Sequence, residues 1–302
     1  MMYVTFEAQG KIEIGILSGN SQYVIPLQAA EQHYCNSNTL PATMLDFLEQ
    51  GNAAVATVQN ILAKIDDSCP KLPLDSVRLL APIPRPRKNI FCIGKNYVEH
   101  ALEFDKTKDV NVAVPKIPIV FSKPPTCVIG TGAVVKNHKH ITSQLDYEVE
   151  LAVVIGKKAC RVAKEDAYEY VFGYTIMNDV SARDLQKAHG QWIMGKGPDT
   201  FAPLGPCITH KSYIPDPHSL SLQCFINGEL RQNGNTKDMV FDIPTLIATL
   251  SSVITLEPGD IIATGTPAGV GGAFNPPKFL QPGDEMRLEI EKIGVLVNTI
   301  EK

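Results

Sequence analysis

Leu145-Asp146-Tyr147-Glu148-Val149-Glu150-Leu151-Ala152-Val153-Val154-Ile155-Gly156 is the stretch on which the reading of this chain turns. It reads as a strand over Leu145–Ile155. Strand side chains alternate between faces. Asp146, Glu148 and Glu150 therefore share one face, with Leu145, Tyr147, Val149 and Leu151 on the other. Three successive carboxylates repel one another, and no Lys or Arg lies between them. The strand runs straight into Leu-Ala-Val-Val-Ile, which brings the acidic face near the core. A divalent cation resolves such repulsion. The bland alternative is a solvated strand edge, where Glu-x-Glu is common.

A second acid sharpens the picture. Tyr174-Thr-Ile-Met-Asn-Asp179 reads as the end of a strand, and Val180–Gln186 suits a turn of helix. Asp179 either caps that helix or supplies a third carboxylate ligand. Arg183 and Gln186 are three apart and share a helix face. Lys196, in Met194-Gly-Lys-Gly197, can carry a cation to an anionic ligand; each of the three is equally at home on a plain surface. In Gly94-Lys-Asn-Tyr-Val-Glu-His-Ala-Leu-Glu103, His100 and Glu103 face together on a short helix, Tyr97–Phe104. A carboxylate beside an imidazole orients it and raises its basicity, which suits a general base; an ion pair on a helix surface has the same spacing. The polar loop Asp105–Lys116 is a candidate lid.

Ala263-Thr-Gly-Thr-Pro-Ala-Gly-Val-Gly-Gly272 is Gly-rich, and amides in such turns can hold an anion. It lacks the Gly-Lys-Ser/Thr ending of a phosphate loop, so it is not read as nucleotide-binding; a tight turn between strands is the alternative. His138-Lys-His140 sits in a polar turn with no third ligand of its kind nearby.

Composition narrows the function classes. The chain has 302 residues, with 28 Lys and Arg against 32 Asp and Glu, a net charge of −4. That leaves no basic footprint for nucleic acid. The longest apolar run is Leu151–Ile155, far short of the ~20 residues of a membrane span. The first residues, Met1–Glu7, lack the basic and apolar regions of a secretory signal. Seven cysteines, an odd number with no C-x-x-C, argue against a zinc ribbon and a disulfide framework. A cytoplasmic protein with mostly buried thiols is expected.

Along the chain, Tyr3–Phe6, Lys11–Leu17 and Tyr23–Leu27 read as strands, and Thr43–Glu49 and Ala53–Ile65 as helices. A Pro-rich passage from Pro70 to Pro86 follows, which places a boundary between a small N-terminal α/β domain (residues 1–75) and a larger domain (80–302). Beyond it, Lys88–Ile93, Ile119–Phe121, Val171–Met177, Leu220–Ile226, Asp260–Thr264 and Met286–Ile290 read as strands. Lys164–Tyr170 and Ile243–Leu250 read as helices. Helices do not alternate regularly with strands, so a β-rich α+β fold is expected rather than a doubly wound one.

Taken together, Ile93–Glu103, Leu145–Gly156, Phe172–Gln186 and Ala263–Gly271 resemble the fumarylacetoacetate hydrolase family, in family order from about residue 80 to the end. The resemblance is to the bacterial branch that includes oxaloacetate decarboxylases. It implies a mixed β-sandwich roll with the metal site at its centre, in a homodimer. The family's metal ligands fall on Glu148, Glu150 and Asp179, its His–Glu pair on His100 and Glu103, and its substrate-binding positions on Arg183, Gln186, Lys196 and Thr266. Lys196 also stands as a catalytic candidate. No match is seen for the extra acid of the animal fumarylacetoacetases, which points to the three-ligand members and away from fumarylacetoacetate as substrate.

An all-oxygen ligand set suits Mg²⁺ or Mn²⁺ over zinc. The activity implied is cleavage of the C3–C4 bond of a short 2-oxo acid through a metal-bound pyruvate enolate. Oxaloacetate decarboxylation leads. Hydrolysis of an acylpyruvate or related β-diketone is the runner-up, and a non-catalytic 2-oxo-acid-binding regulator is the alternative of another class. Oxalate, which resembles the enolate, is the expected inhibitor.

Overall fold

In the computed structural model, which describes residues 1–105 and 107–302, the apolar run after Glu150 is buried on both of its faces. Val149, Leu151, Val153 and Ile155 join one core; Ala152 and Val154 join another. That two-sided burial explains why the segment reads as continuous apolar sequence rather than as alternation.

The N-terminal region builds strands β1 (Met2–Ala8), β2 (Lys11–Leu17) and β3 (Tyr23–Pro26), then helices α1 (Leu27–Cys35), α2 (Met44–Gln50) and α3 (Asn52–Leu62). Two short strands follow, β4 (Leu72–Pro73) and β5 (Arg78–Leu79). Next come β6 (Ile90–Gly94), α4 (Val98–Glu103), α5 (Val110–Ala113) and β7 (Ile119–Lys123), and the short β8 (Val128–Ile129) and β9 (Val134–Val135). The acidic stretch contributes β10 (Leu145–Asp146) and β11 (Val149–Ile155). After it lie β12 (Val171–Asn178), β13 (Ser181–Ala182), α6 (Arg183–Ala188), α7 (Ile193–Lys196) and β14 (Ala202–His210). The last part comprises β15 (Ser221–Ile226), β16 (Glu229–Asn235), α8 (Ile243–Ser251), β17 (Ile261–Ala263), β18 (Glu285–Ile290) and β19 (Gly294–Ile300).

The large sheet runs β4-β3-β2-β1-β14-β12-β11-β17-β6-β7, and a second sheet runs β16-β15-β18-β19-β9. Val149, Leu151 and Val153 of β11 share a core with Leu222, Cys224, Met286, Leu288 and Leu296 of the second sheet. On the opposite face, Ala152, Val154, Phe172 and Leu204 pack with Phe47, Leu48, Val58 and Ile61 of α2 and α3. The result is a β-rich sandwich with helices over part of its outer face, the expected fold class. β1 pairs with β14 as well as with β2, so the N-terminal strands continue the central sheet.

The expected strand over Leu145–Ile155 is not continuous. It breaks at Tyr147-Glu148, because two long-range side chains capture the backbone there: the Glu148 amide donates to Asn178 Oδ1 (3.0 Å) and the Val149 amide to Gln232 Oε1 (3.0 Å). Asp146 pairs with Ser181 on a separate two-stranded ladder. Helix α1 has no counterpart in the sequence expectations. It starts directly after Pro26 with no side-chain cap. Lys164–Tyr170 is a 3₁₀ segment rather than an α-helix. Cysteines at all seven positions are free, and among the described residues no helix is long and apolar enough to cross a membrane.

Candidate active site

The antiparallel pairing of β11 with β12 assembles the acidic cluster. Val149 lies opposite Asn178, so Glu148 and Asp179 meet at the same end of the two strands, and the Asp179 amide donates to the Glu148 carbonyl (2.9 Å). Glu150 sits one residue inside β11. Carboxylate oxygens of Glu148, Glu150 and Asp179 lie within 4.8 Å of one another, and all three residues are buried.

Asp146, expected on the same face, is turned elsewhere by the break in the strand. It accepts from Arg183 Nε (2.8 Å) and from the amides of Gly271 (2.6 Å) and Gly272 (2.9 Å). No Lys or Arg lies between Asp146 and Glu150 in sequence, and the cations that relieve the acids arrive from distant elements. Arg183 reaches Glu148 Oε1 (2.6 Å). Lys196 lies 2.8 Å from Glu148 and 2.7 Å from Asp179. Lys123, which sequence reasoning missed because a lysine in a strand reads as surface, is fully buried and pairs with Asp179 Oδ1 (2.8 Å).

These contacts split the two glutamates electrostatically. Burial favours the protonated form of each. At Glu148 that tendency is overcome by Lys196, Arg183 and His100, which hold its carboxyl well below the usual carboxylate range. At Glu150 burial is reinforced by the charges of Asp179 and Glu148, and its carboxyl is pushed far up against the opposing pull of Lys196 and the Gly265 amide. Three buried carboxylate donors, one of them pushed towards its protonated form for want of positive charge, fit a hard divalent cation.

His100 and Glu103 meet as expected, Nδ1 to Oε2 at 3.0 Å, on α4. The other oxygen of Glu103 accepts from the Gly269 amide at 2.6 Å. The Gly-rich segment thus does hold anions, but they are the protein's own carboxylates: Gly265 takes Glu150 (2.9 Å), Gly269 takes Glu103, and Gly271 and Gly272 take Asp146. Asn96 ties this segment to the strand that precedes α4, donating to the Thr264 carbonyl (2.7 Å) and the Phe241 carbonyl (3.0 Å). Asp179 does not cap α6, whose N-terminus at Ala182 carries no side-chain cap.

A cavity of about 320 Å³ joins these groups. His100, Glu148, Glu150, Arg183, Gln186, Lys196 and Thr266 line it, with Phe104, Phe121 and Trp192 as apolar walls. The Thr266 hydroxyl donates to the Val149 carbonyl (2.9 Å) and accepts from Gln232 (2.8 Å), so its proton is engaged within the framework. Gln232, buried and absent from the sequence reading, staples the Gly-rich segment to β11. His138 contacts the Asp199 carbonyl and packs on Phe201, away from this site. The candidate lid Asp105–Lys116 includes Lys106, which lies outside the described residues; within the rest, Val110–Ala113 forms α5.

Comparison with known proteins agrees with this geometry. The family model described as "Fumarylacetoacetate (FAA) hydrolase C-terminal" matches residues 89–301. The chain is 47% identical to the oxaloacetate tautomerase YisK of Bacillus subtilis, over 99% of this chain and 100% of the relative. A solved fumarylacetoacetate hydrolase from Exiguobacterium antarcticum superposes with a TM-score of 0.83 at 38% identity, covering 100% of this chain and 99% of that one. A maleylpyruvate hydrolase from Sphingobium sp. SYK-6, solved with manganese(II) and pyruvate, gives 0.77 at 29% identity, with 100% and 99% covered. Sequence motifs, sandwich and buried acidic cluster converge, and the chain belongs to the fumarylacetoacetate hydrolase family.

Proposed function

We propose that this protein is a divalent-metal-dependent enzyme that moves a proton between carbon 3 and the 2-oxo oxygen of oxaloacetate, interconverting its enol and keto forms. The observation that carries the reading is the convergence of the buried Glu148–Glu150–Asp179 cluster and the His100–Glu103 pair on one small cavity. Its volume lies at the lower end of the ~300–1,000 Å³ range of small-ligand sites. The name of the Bacillus subtilis relative supports oxaloacetate as substrate, and supports proton transfer as the reaction over the decarboxylation expected from sequence.

Glu148, Glu150 and Asp179 would hold the cation, which supplies Lewis-acid polarisation of the 2-oxo acid oxygens. Glu103 accepts the Nδ1 proton of His100, leaving Nε2 with a lone pair for the cavity. From the enol, His100 takes the hydroxyl proton and returns a proton to carbon 3, and the electron pair of the carbon–carbon double bond ends in the new C–H bond. Lys196 and Arg183 stabilise negative charge developing on the substrate oxygens. Phe104, Phe121 and Trp192 supply the apolar walls of the cavity around the reacting carbon.

Hydrolysis of an acylpyruvate is the second reading, supported by the likeness to the maleylpyruvate hydrolase with its manganese and pyruvate. Decarboxylation would instead move the C3–C4 bonding pair into the 2-oxo group as CO₂ departs, leaving an enolate that is protonated at carbon 3. One assay separates these. With Mn²⁺-loaded protein and oxaloacetate, the ultraviolet band of the enol should decay faster than in buffer, without pyruvate appearing at the same rate. Pyruvate forming in step with substrate loss would replace tautomerisation by decarboxylation. Turnover of acylpyruvates alone would favour hydrolysis, and no turnover of any 2-oxo acid would leave a binding protein. A homodimer belongs to this reading, and light scattering tests it.

A further inference from the structure

We propose that Lys95 and Lys187, at the rim of the cavity, receive the distal carboxylate of the substrate and so select dianionic 2-oxo acids over monoanionic ones. This rests on the reading of the cavity as a 2-oxo acid site.

The inner site has no cation to spare for a second carboxylate. Four buried carboxylates (Asp146, Glu148, Glu150 and Asp179) face three buried cations (Lys123, Arg183 and Lys196). Fully ionised, this set carries one net negative charge, and a divalent cation brings it to one net positive charge. That balances the single carboxylate at the 2-oxo end of a substrate. The His100–Glu103 pair adds no net positive charge. Each nitrogen of Arg183 already has a partner, Asp146, Glu148 or Gln186, and Lys196 is shared between Glu148 and Asp179.

Two further cations line the same cavity. Lys95 is half-buried and Lys187 is exposed, and among the described residues neither ammonium makes an ion pair or a hydrogen bond; the carboxylate that feels the charge of Lys95 is that of Asp105, at the start of the next loop. Their placement is set by the fold. Lys187 is four residues from Arg183 and one from Gln186 on α6, so it extends the face of that helix which looks into the cavity. Lys95 follows β6 in a left-handed backbone conformation (φ 54°). The residue before it, Gly94, lies so close to the Trp192 ring that a Cβ there would come within 2.5 Å of it. The chain path into Lys95 is therefore pinned against a wall of the cavity. A carboxylate at the far end of a short 2-oxo acid, anchored by its other end at the acidic cluster, meets at this rim the two cavity-lining ammonium groups that, among the described residues, form no ion pair.

The test uses Mn²⁺-loaded full-length protein, wild type and the Lys95→Met/Lys187→Met double variant, with oxaloacetate and pyruvate as probes. Hydrogen bonds to charged groups are worth enough to expect a rise of roughly 10- to 100-fold in KM for oxaloacetate in the double variant, with a much smaller change in kcat. Pyruvate, which has no distal carboxylate, should bind both proteins equally by calorimetry. Lys187→Arg in the Lys95 wild-type background should keep most of the oxaloacetate affinity, which a merely structural loss would not predict. An unchanged KM for oxaloacetate, or an equal loss for pyruvate, overturns the proposal. If the wild type does not turn over oxaloacetate, the functional reading fails on its own, and calorimetric binding of the two probes still decides the role of the lysines.

Discussion

The Lys123 ammonium lies 2.8 Å from Asp179 Oδ1, and neither side chain reaches solvent. The same ammonium donates to the carbonyls of Val180 (3.0 Å) and Lys196. One residue thus neutralises a candidate metal ligand and fixes the backbone of the lysine on its other side. Removing one partner of a buried pair leaves an uncompensated charge. Lys123→Met should destabilise the metal-free protein by about 3–5 kcal/mol, read from urea unfolding. A change under about 1 kcal/mol would mean that Lys196, the other partner of Asp179, compensates its charge alone.

Burial and two neighbouring carboxylates outweigh the nearby Lys196 and push the Glu150 carboxyl far up, towards its protonated form. A divalent cation favours the ionised carboxyl, so its binding should release protons, and calorimetric heats of Mn²⁺ binding should vary with the ionisation enthalpy of the buffer. Glu150→Gln should fold at least as stably as the metal-free wild type and bind Mn²⁺ far more weakly. Oxalate should compete with substrate only when the cation is present, and should lose its affinity in this variant. Oxalate binding that survives removal of the cation would refute the coupling.

His100→Ala should lower kcat by roughly 10²–10⁴-fold, the usual worth of a positioned general base. Mn²⁺ affinity should stay near that of the wild type, because His100 is not among the three candidate cation ligands. Glu103→Gln should cause a smaller loss, and the pH–rate profile should shift as the imidazole loses its carboxylate partner.

Gly269 sits at φ +105°, and a Cβ there would lie 2.0 Å from the Arg231 carbonyl oxygen. Its amide is the group that holds Glu103. Gly269→Ala should cost about 1–3 kcal/mol of stability through backbone strain. It should also reduce kcat in the manner of the Glu103 variant while sparing Mn²⁺ binding. Equal losses in metal affinity and turnover would show that the whole segment moves rather than the Glu103 contact alone.

His210 packs between Tyr3 and Phe172 at the end of β14. Burial first, and then neighbouring positive charge including Lys211, lowers its imidazole to about 4 from an ordinary 6.5. The folded state therefore resists a proton that the unfolded chain accepts. The stability this contributes is complete above pH 6.5 and is lost as pH falls from 6.5 towards about 4. His210→Gln should flatten that part of the stability curve, measured by thermal unfolding between pH 4 and 8.

Local signals made much of this legible. β2 and β12 follow their expected spans closely because apolar residues there recur with a strand period, and α8 begins at Asp242, whose side chain caps it. His100 and Glu103 were legible because their contact lies within one helical turn. What stayed hidden depends on partners distant in sequence. The break before β11 is made by Asn178 and Gln232, 30 and 83 residues from the amides they capture. Lys123 and Asn96 acquire their roles only once the sheet has formed, and nothing local separates a buried, paired lysine from a surface one.

The Gly-rich segment between Gly265 and Gly272 behaves like the jig of a machine tool. Its amides clamp Glu150 at one end, Glu103 in the middle and Asp146 at the other. The offset between the buried acidic cluster and the His100–Glu103 pair is therefore machined into a fixed number of residues of one backbone. Adding or deleting a single residue there would throw all three clamps out of register together. Diversification of substrate scope on this scaffold is thus channelled to the cavity rim, where Lys95, Lys187, Phe104 and Trp192 can be exchanged without resetting the tool.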